Sequence, residues 1–217
     1  MNVLEKRIMF RTLCIVIVCT FLLVTELAFA MKVKLLTLEQ MIETAEVVFI
    51  GVCISSESKE DQQINRMVDV TKFEVIEVIK GNISDTHAIH HYGGMVGKSA
   101  SRIIGMPTYA SGEKVILFLH PESQYRLTSP VGMFQGKFNF VIDEKPFTSS
   151  MVVNGINNIG LLSSMQSDSF LSDQSFNKTR LKTLQRLITR DRGPIPYDDF
   201  MFIVKTLVNK QSIGVER

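Results

Sequence analysis

The four histidines are the first residues to consider for chemistry, because three of them lie close together in the sequence. His87, His90 and His91 fall in a short stretch that favours a strand, and His120 follows later. On a strand, His87 and His91 share a face but lie about 13 Å apart at ~3.3 Å per residue, and His90 points to the other face. One metal ion cannot be reached by all three, so we expect no metal site and solvent-facing histidines on an edge strand.

A glycine-rich stretch next to these histidines is similar to a phosphate-binding loop without completing its pattern. The letters YGGMVGKS occupy residues 92–99, and Tyr92 stands where G-x-x-x-x-G-K-[ST] requires glycine. A helix should also follow Ser99, yet the next residues are poor helix formers. We therefore expect a flexible loop here, and no cofactor.

Residues 93–109 are nevertheless the best place to expect binding, because loops of more than about 12–15 residues are usually functional or disordered. Glycines give this loop backbone freedom, and its charged, methionine and tyrosine side chains offer adaptable contacts. The candidate binding residues are His91, Tyr92, Lys98, Arg102, Met106 and Tyr109. The loop has no general base beyond its flanking histidines, so the mixture favours recognition over catalysis and no catalytic residue is assigned. A mobile connection without a partner is the plain alternative.

The cysteines and serines give no nucleophile pair. Cys53 lies in an apolar run without a histidine or asparagine motif around it, so we expect a buried, unreactive thiol. Cys14 and Cys19 fall in the N-terminal segment described next, which leaves one cysteine in the predicted mature chain and excludes an internal disulfide there. The chain also lacks the G-x-S-x-G pattern of serine hydrolases.

The N-terminus predicts export. Lys6, Arg7 and Arg11 form a basic segment, residues 13–24 are apolar, and an Ala-Phe-Ala cleavage pattern ends at Ala30. The apolar segment is shorter than the about 20 residues that cross a bilayer. We expect cleavage after Ala30 and a periplasmic or extracellular protein. The alternative is an uncleaved N-terminal helix that anchors the protein in the membrane.

The strongest strand prediction covers residues 67–81, MVDVTKFEVIEVIKG. Apolar side chains alternate along it, but the phase changes between Val70 and Phe73 and again between Val75 and Ile76. Such changes indicate a bulge or a sharply coiled strand. A helix is the rival, since some of these residues also fit helical spacing, but β-branched and aromatic side chains favour the strand.

The remaining predicted elements are strands with helices before and after them. Thr37 and Gln40 form a capping box that starts a short helix, and residues 46–54 predict a buried strand before a polar hairpin loop at residues 55–65. Phe118 and Phe138 lie in apolar strands and are predicted core residues. Further strands are predicted at residues 85–92, 114–120, 125–129, 133–142 and 149–153, and amphipathic helices at residues 179–190 and 197–209.

These elements predict a mainly β, α+β fold: a small, bent antiparallel barrel or sandwich with a short N-terminal helix and two C-terminal helices. The expected organisation is a signal peptide at residues 1–30, a β-barrel domain at 31–153, a polar linker or loop at 154–177 and a helical pair at 178–217.

The order of several short blocks resembles that of uncharacterised exported bacterial proteins. The blocks are Lys80-Gly81, Gly93-Gly94, GMPTY at residues 105–109, GEKVILFL at 112–119 and GMFQGKF at 132–138. The likeness covers residues 36–142. The predicted order of strands there is also distantly similar to the netrin-like barrel of tissue inhibitors of metalloproteinases, which implies an OB-like fold. Those inhibitors use an N-terminal cysteine held by disulfides against a catalytic metal. The predicted mature chain begins near Met31 with one cysteine, so no inhibitory residue carries over.

The nearly balanced charge of the chain argues against nucleic acid as the partner. The chain has 24 basic and 22 acidic side chains, which gives no strong field for nucleic acid. We expect an exported, non-catalytic binding or interaction module whose partner is another envelope or extracellular protein, with membrane contact only if the N-terminal segment is retained. The alternatives are a secreted hydrolase with its site near residues 93–109 and a membrane-tethered structural envelope protein.

Overall fold

A computed structural model of the chain describes residues 34–96, 99–101, 103–141, 150–166 and 178–215, together with Arg7 and Arg11. The chain divides into two compact units, Met1–Val33 and Lys34–Arg217. In the first unit Arg7 and Arg11 are helical and exposed, and the predicted signal peptide otherwise lies outside the described residues. Within the described part of the chain, no helix is both long and apolar enough to cross a bilayer.

The described strands of the second unit form a seven-stranded antiparallel sheet and a separate two-stranded hairpin. The order across the large sheet is β3-β2-β1-β6-β7-β8-β9, and β4 pairs with β5. The mainly β prediction is therefore confirmed, although the described strands do not close into a barrel by pairing with one another. The strands are β1 Val47–Asp61, β2 Arg66–Lys80, β3 Thr86–Tyr92, β4 Gly94–Val96, β5 Ser99–Ser101, β6 Lys114–Leu119, β7 Lys137–Val141, β8 Met151–Asn154 and β9 Ile195–Pro196.

Three described helices flank the strands in sequence, as predicted. They are α1 Leu38–Thr44, α2 Lys178–Arg190 and α3 Tyr197–Val215. The capping box is confirmed: the Gln40 backbone N–H donates to Thr37 Oγ1 at 3.3 Å, and the Thr37 backbone N–H donates to Gln40 Oε1 at 3.2 Å. Asp198 and Asp199 lie in the first turn of α3, where acidic side chains are electrostatically favourable.

Two apolar clusters lie on opposite faces of the central strands β1 and β6. Alternate residues along each strand point to opposite faces, so Val48 and Ile50 belong to the helix-side cluster and Phe49 and Cys53 to the inner cluster. The helix-side cluster contains residues of α1, α2 and α3, and the inner cluster contains Phe49, Cys53, Phe73, Ile89, Tyr109, Val115, Leu117 and Leu119. Phe118 and Phe138 are fully buried in the helix-side cluster, which confirms them as core residues.

The pairing of the long strands β1 and β2 slips three times. The register shifts between Val48 and Phe49, between Ile50 and Gly51, and between Cys53 and Ser55. The second shift leaves Ile76 without a partner, at the position where the sequence changes phase, so the predicted bulge is confirmed.

The prediction of a hairpin loop at residues 55–65 is wrong for most of its length, because the polar residues after Cys53 continue strand β1. Strand β1 continues to Asp61, and the turn covers residues 62–65. The extension pairs with β2 throughout, and the hydroxyls of Ser56 and Thr71 are hydrogen-bonded at 2.9 Å. Cross-strand pairing, rather than apolar content, holds this part of the ribbon.

Two predicted strands are also corrected around residues 125–135. Residues 125–129 form no strand, but the segment at residues 127–131 hydrogen-bonds to β3 and to β6. The Thr128 backbone N–H donates to His90 O at 2.8 Å, and the Val131 backbone N–H donates to Phe118 O at 2.8 Å. Met133–Gln135 is a 3₁₀ turn, and β7 begins only at Lys137.

The described part of the predicted polar linker packs against the core. Leu161, Leu162 and Met165 are buried in the helix-side cluster. The buried Asn158 side chain donates to the carbonyls of Val152 and Gly193, both at 3.0 Å, which ties this turn to β8 and to the segment before β9. Residues 167–177 lie outside the described residues.

Candidate functional site

A row of polar side chains crosses β1, β2 and β3 at one end of the inner face. Ser58 pairs with Asp69, and Asp69 pairs with His91. Directly paired residues on antiparallel strands share a face, so these three side chains point to the same side of the sheet as the inner cluster. The interior therefore changes from apolar to polar toward this end.

A cavity of about 320 Å³ opens beside this row, and we refer to it as the mouth cavity. Ser58 and Asp69 contribute polar groups to its lining, and the backbone of Gly93 and Gly94 forms part of its wall. Its apolar and aromatic lining residues are Tyr92, Met95, Ala100, Ile103, Met106 and Pro107. The volume is in the range that small-molecule sites occupy.

The hairpin of β4 and β5 forms one wall and is fastened to the polar row. The Ser58 hydroxyl donates to Asp69 Oδ1, and the Met95 backbone N–H donates to Ser58 Oγ at 3.0 Å. Gly94 has φ +122°, and a Cβ at this position would lie 2.7 Å from Ser58 Oγ. Glycine is therefore required for the backbone to approach the row so closely. The predicted loop at residues 93–109 thus contains a short hairpin.

A second wall comes from the segment at residues 103–113, of which residues up to Thr108 line the cavity, and this segment is fastened by the buried Lys137 of β7. The Lys137 ammonium donates to Thr108 O at 2.7 Å and to Glu113 Oε1 at 2.7 Å, and it lies 4.8 Å from the centre of the Tyr109 ring. The other carboxylate oxygen of Glu113 accepts a hydrogen bond from the Ala110 backbone N–H at 3.0 Å. One cation therefore fixes three residues of the wall.

His91 of β3 stacks inside the fold on Tyr109, which belongs to this wall. Their rings are 6.1 Å apart, and they are 3% and 8% exposed. Neither ring nitrogen of His91 nor the Tyr109 hydroxyl has a hydrogen-bond partner among the described residues. Burial lowers the pKa of the His91 imidazole, an effect that the backbone of His91 itself, the Asp69 carboxylate and the Pro107 backbone partly oppose. Burial likewise raises the pKa of the Tyr109 phenol, so both rings are neutral near pH 7.

The six candidate residues separate into three groups. Tyr92 and Met106 line the mouth cavity. His91 and Tyr109 are buried, which corrects the expectation of solvent-facing histidines at His91: the wall at residues 103–113 covers this end of β3. Lys98 and Arg102 lie outside the described residues.

The sequence prediction missed Ser58 and Asp69 because it placed Ser58 in a loop and did not give the pairing register of β1 against β2. Polar side chains at every second position, Ser56 and Ser58 on β1 and Asp69 and Thr71 on β2, were the available signal of a polar inner face.

The other histidines lie apart from the mouth cavity. His87 and His90 both line a small surface pocket with Glu122 and Arg126, and the His87 ring also contacts Phe49 with ring centres 5.8 Å apart. Among the described residues, no three histidine, cysteine, aspartate or glutamate side chains are grouped as metal ligands would be.

Comparison of the chain with known protein families, with curated proteins and with solved structures gives no match.

Proposed function

We propose that the protein is an exported, non-catalytic binding module that holds another envelope or extracellular protein at the mouth cavity. The observation that supports this most is the apolar rim of the cavity. Tyr92 is 42% exposed, Met95 is 68% exposed, and Ile104, which follows the lining residue Ile103, is 79% exposed. Exposed apolar side chains around a concave site are typical of protein interaction surfaces.

The order of groups in the polar row favours binding over the hydrolase alternative. In a Ser-His-Asp triad the imidazole stands between the hydroxyl and the carboxylate and takes the hydroxyl proton. Here the carboxylate of Asp69 stands between Ser58 and His91 in the strand register, and it accepts the Ser58 hydroxyl directly. Ser58 is thereby occupied in holding Met95 and Asp69, which supports a structural role for its hydroxyl.

A closed OB-like or netrin-like barrel belongs to the same proposal. The segment at residues 127–131 supports it, because this segment hydrogen-bonds to His90 on the outer strand β3 and to Phe118 on β6. A ring of β3, β2, β1, β6 and this segment would enclose the inner cluster and leave the mouth cavity at one end. An experimental structure that placed β3 away from residues 127–131 would contradict the barrel.

The cellular part of the proposal rests on the N-terminal sequence, with its basic segment, apolar run and cleavage pattern at Ala30. Export to the periplasm or the exterior brings the mouth cavity to envelope and extracellular proteins. A retained N-terminal helix would instead present the same cavity from a membrane tether.

The rim gives a direct test of the binding site. The double variant Met95→Ser with Ile104→Ser removes apolar surface at the rim, and Ile76→Ser removes an exposed apolar residue that is 54% exposed on β2. After thermal melts show that both variants fold, cross-linking in envelope fractions is compared with the unaltered protein. We expect the partner to be lost with the rim variant and kept with Ile76→Ser. A partner retained by all three proteins would exclude the mouth cavity as the binding site.

A further inference from the structure

The charge of the mouth cavity points to a particular kind of ligand group. Asp69 is the only charged side chain among the described residues that line it. We propose that the cavity receives the lysine side chain of the partner protein, with its ammonium against Asp69. This inference rests on the proposed binding function and specifies what enters the cavity.

The Asp69 carboxylate has capacity for an additional donor. An ionised carboxylate offers about four lone-pair sites, and the Ser58 hydroxyl occupies one of them. The neighbouring His91 is neutral near pH 7 because burial lowers its pKa. An incoming cation would therefore meet an acidic side chain and no imidazolium in the polar row.

The hydrogen bond that Oδ1 of Asp69 already accepts from Ser58 favours lysine over arginine as the ligand. A guanidinium binds a carboxylate best through two parallel hydrogen bonds, one to each oxygen. Oδ1 of Asp69 already accepts from Ser58, and Gly94 packs so close to this oxygen that a Cβ there would overlap it, so Oδ1 has little room for a second donor. An ammonium is a compact charge with three rotatable donors and needs only one free oxygen, so it fits without displacing Ser58.

The rest of the lining suits the apolar stem of lysine. Met95 and Met106 adapt to flexible aliphatic chains. A free small amine would leave the exposed Met95 and Ile104 side chains uncovered, whereas a protein segment on either side of the lysine would cover them. The rim is therefore the reason to expect a protein rather than a metabolite.

Four peptides test the proposal on the protein purified from an exporting host. Each is an acetylated, amidated Gly-Leu-X-Leu-Gly, with lysine, norleucine, arginine or glutamate at X, and binding is measured by calorimetry. We expect lysine to bind about tenfold or more tightly than norleucine, which has a similar stem without the charge. Arginine should be weaker than lysine, and glutamate should not bind.

Two variants test whether the Asp69 carboxylate is the group that contacts the lysine ammonium. Asp69→Asn keeps the shape of the side chain and should remove the preference for lysine over norleucine, while Asp85→Asn, an exposed residue before β3, should preserve it. Thermal melts check that both fold. If Asp69→Asn fails to fold, the four-peptide comparison on the unaltered protein still decides.

Each other result overturns a defined part of the proposal. Equal binding of lysine and norleucine peptides would exclude the charge contact while preserving the cavity as an apolar binding site. A preference for glutamate would exclude a cation, and hexylamine binding as tightly as the lysine peptide would exclude a protein source. If no peptide binds while the rim variant still loses its partner, the lysine inference fails and the proposed function stands.

Discussion

The Lys137 ammonium lies 2.7 Å from the Glu113 carboxylate, and the Lys137 side chain is only 9% exposed. The pair joins strand β7, on one side of β6, to the residue that precedes β6. The same ammonium also donates a hydrogen bond to the carbonyl of Thr108, which lines the mouth cavity. The position of this wall therefore depends on Lys137, which does not itself line the cavity.

Replacement of Lys137 by methionine should loosen this wall. The substitution keeps most of the stem but removes the donor to Glu113 and to the Thr108 carbonyl. We expect a loss of about 1–3 kcal/mol in the free energy of unfolding, measured in urea. Lys72→Met, at an exposed position of β2, is the control and should change it by less than about 0.5 kcal/mol. A Lys137→Met protein as stable as the control would show that the ion pair contributes nothing.

Alanine at Gly94 should detach the hairpin of β4 and β5. Gly94 and Gly112 have φ +122° and +82°, but only at Gly94 would a Cβ meet a neighbour, Ser58 Oγ, at 2.7 Å. Both substitutions introduce backbone strain of about 1–3 kcal/mol. Gly94→Ala alone should also accelerate hydrogen exchange at the Met95 amide. Similar exchange in the two variants would mean that the hairpin does not depend on the close approach.

Truncation of the buried phenylalanines should destabilise the whole domain. Phe118 and Phe138 are fully buried, with ring centres 5.5 Å apart. Each single alanine variant should lose about 3–5 kcal/mol, read from the denaturant midpoint. Ile76→Ala, at an exposed bulge, should leave the midpoint almost unchanged. Midpoints that barely move in the phenylalanine variants would refute the core assignment.

Acid should destabilise the protein through His91. Burial lowers its folded-state pKa, so below the unfolded value of about 6.5 the unfolded state binds a proton that the native state does not. Stability should be greatest above about pH 6.5 and fall, by up to about 1.4 kcal/mol per pH unit, until the folded pKa is reached. Burial also lowers the pKa values of His87, His90 and His120, which act in the same direction.

Urea midpoints between about pH 8 and about pH 5 test this for the unaltered protein and for His91→Gln. The variant should show a shallower decline because one of the four imidazoles is gone. Parallel curves would mean that His91 is protonated equally in the folded and unfolded states.

The predicted cleavage after Ala30 can be tested by measuring the intact mass of the protein. Cleavage after Ala30 should give a mature chain that starts at Met31, because the Ala-Phe-Ala pattern follows a short apolar run. Intact-mass measurement of protein from an exporting host reads the start directly. A full-length chain in the membrane fraction would favour the tethered alternative.

Local sequence patterns predicted much of the fold but little of the mouth cavity. Strand β2 and helix α1 were recognisable because alternation and capping are local properties. The end of β1 was not, since Ser56 and Ser58 adopt the strand only through their partners on β2. The burial of His91 depends on a wall more than ten residues away in sequence, and no local signal announces it.

Strands β1 and β6 place both apolar clusters on one shared backbone: Ile116 and Phe118 face the helices, while Val115 and Leu117 face the inner cluster. Neither cluster can open without removing a wall of the other, so heat should unfold them in one cooperative step. Calorimetric and van't Hoff enthalpies should then agree. A ligand in the mouth cavity would raise the melting temperature recorded from α3, on the far face of the sheet, as much as that recorded beside the cavity.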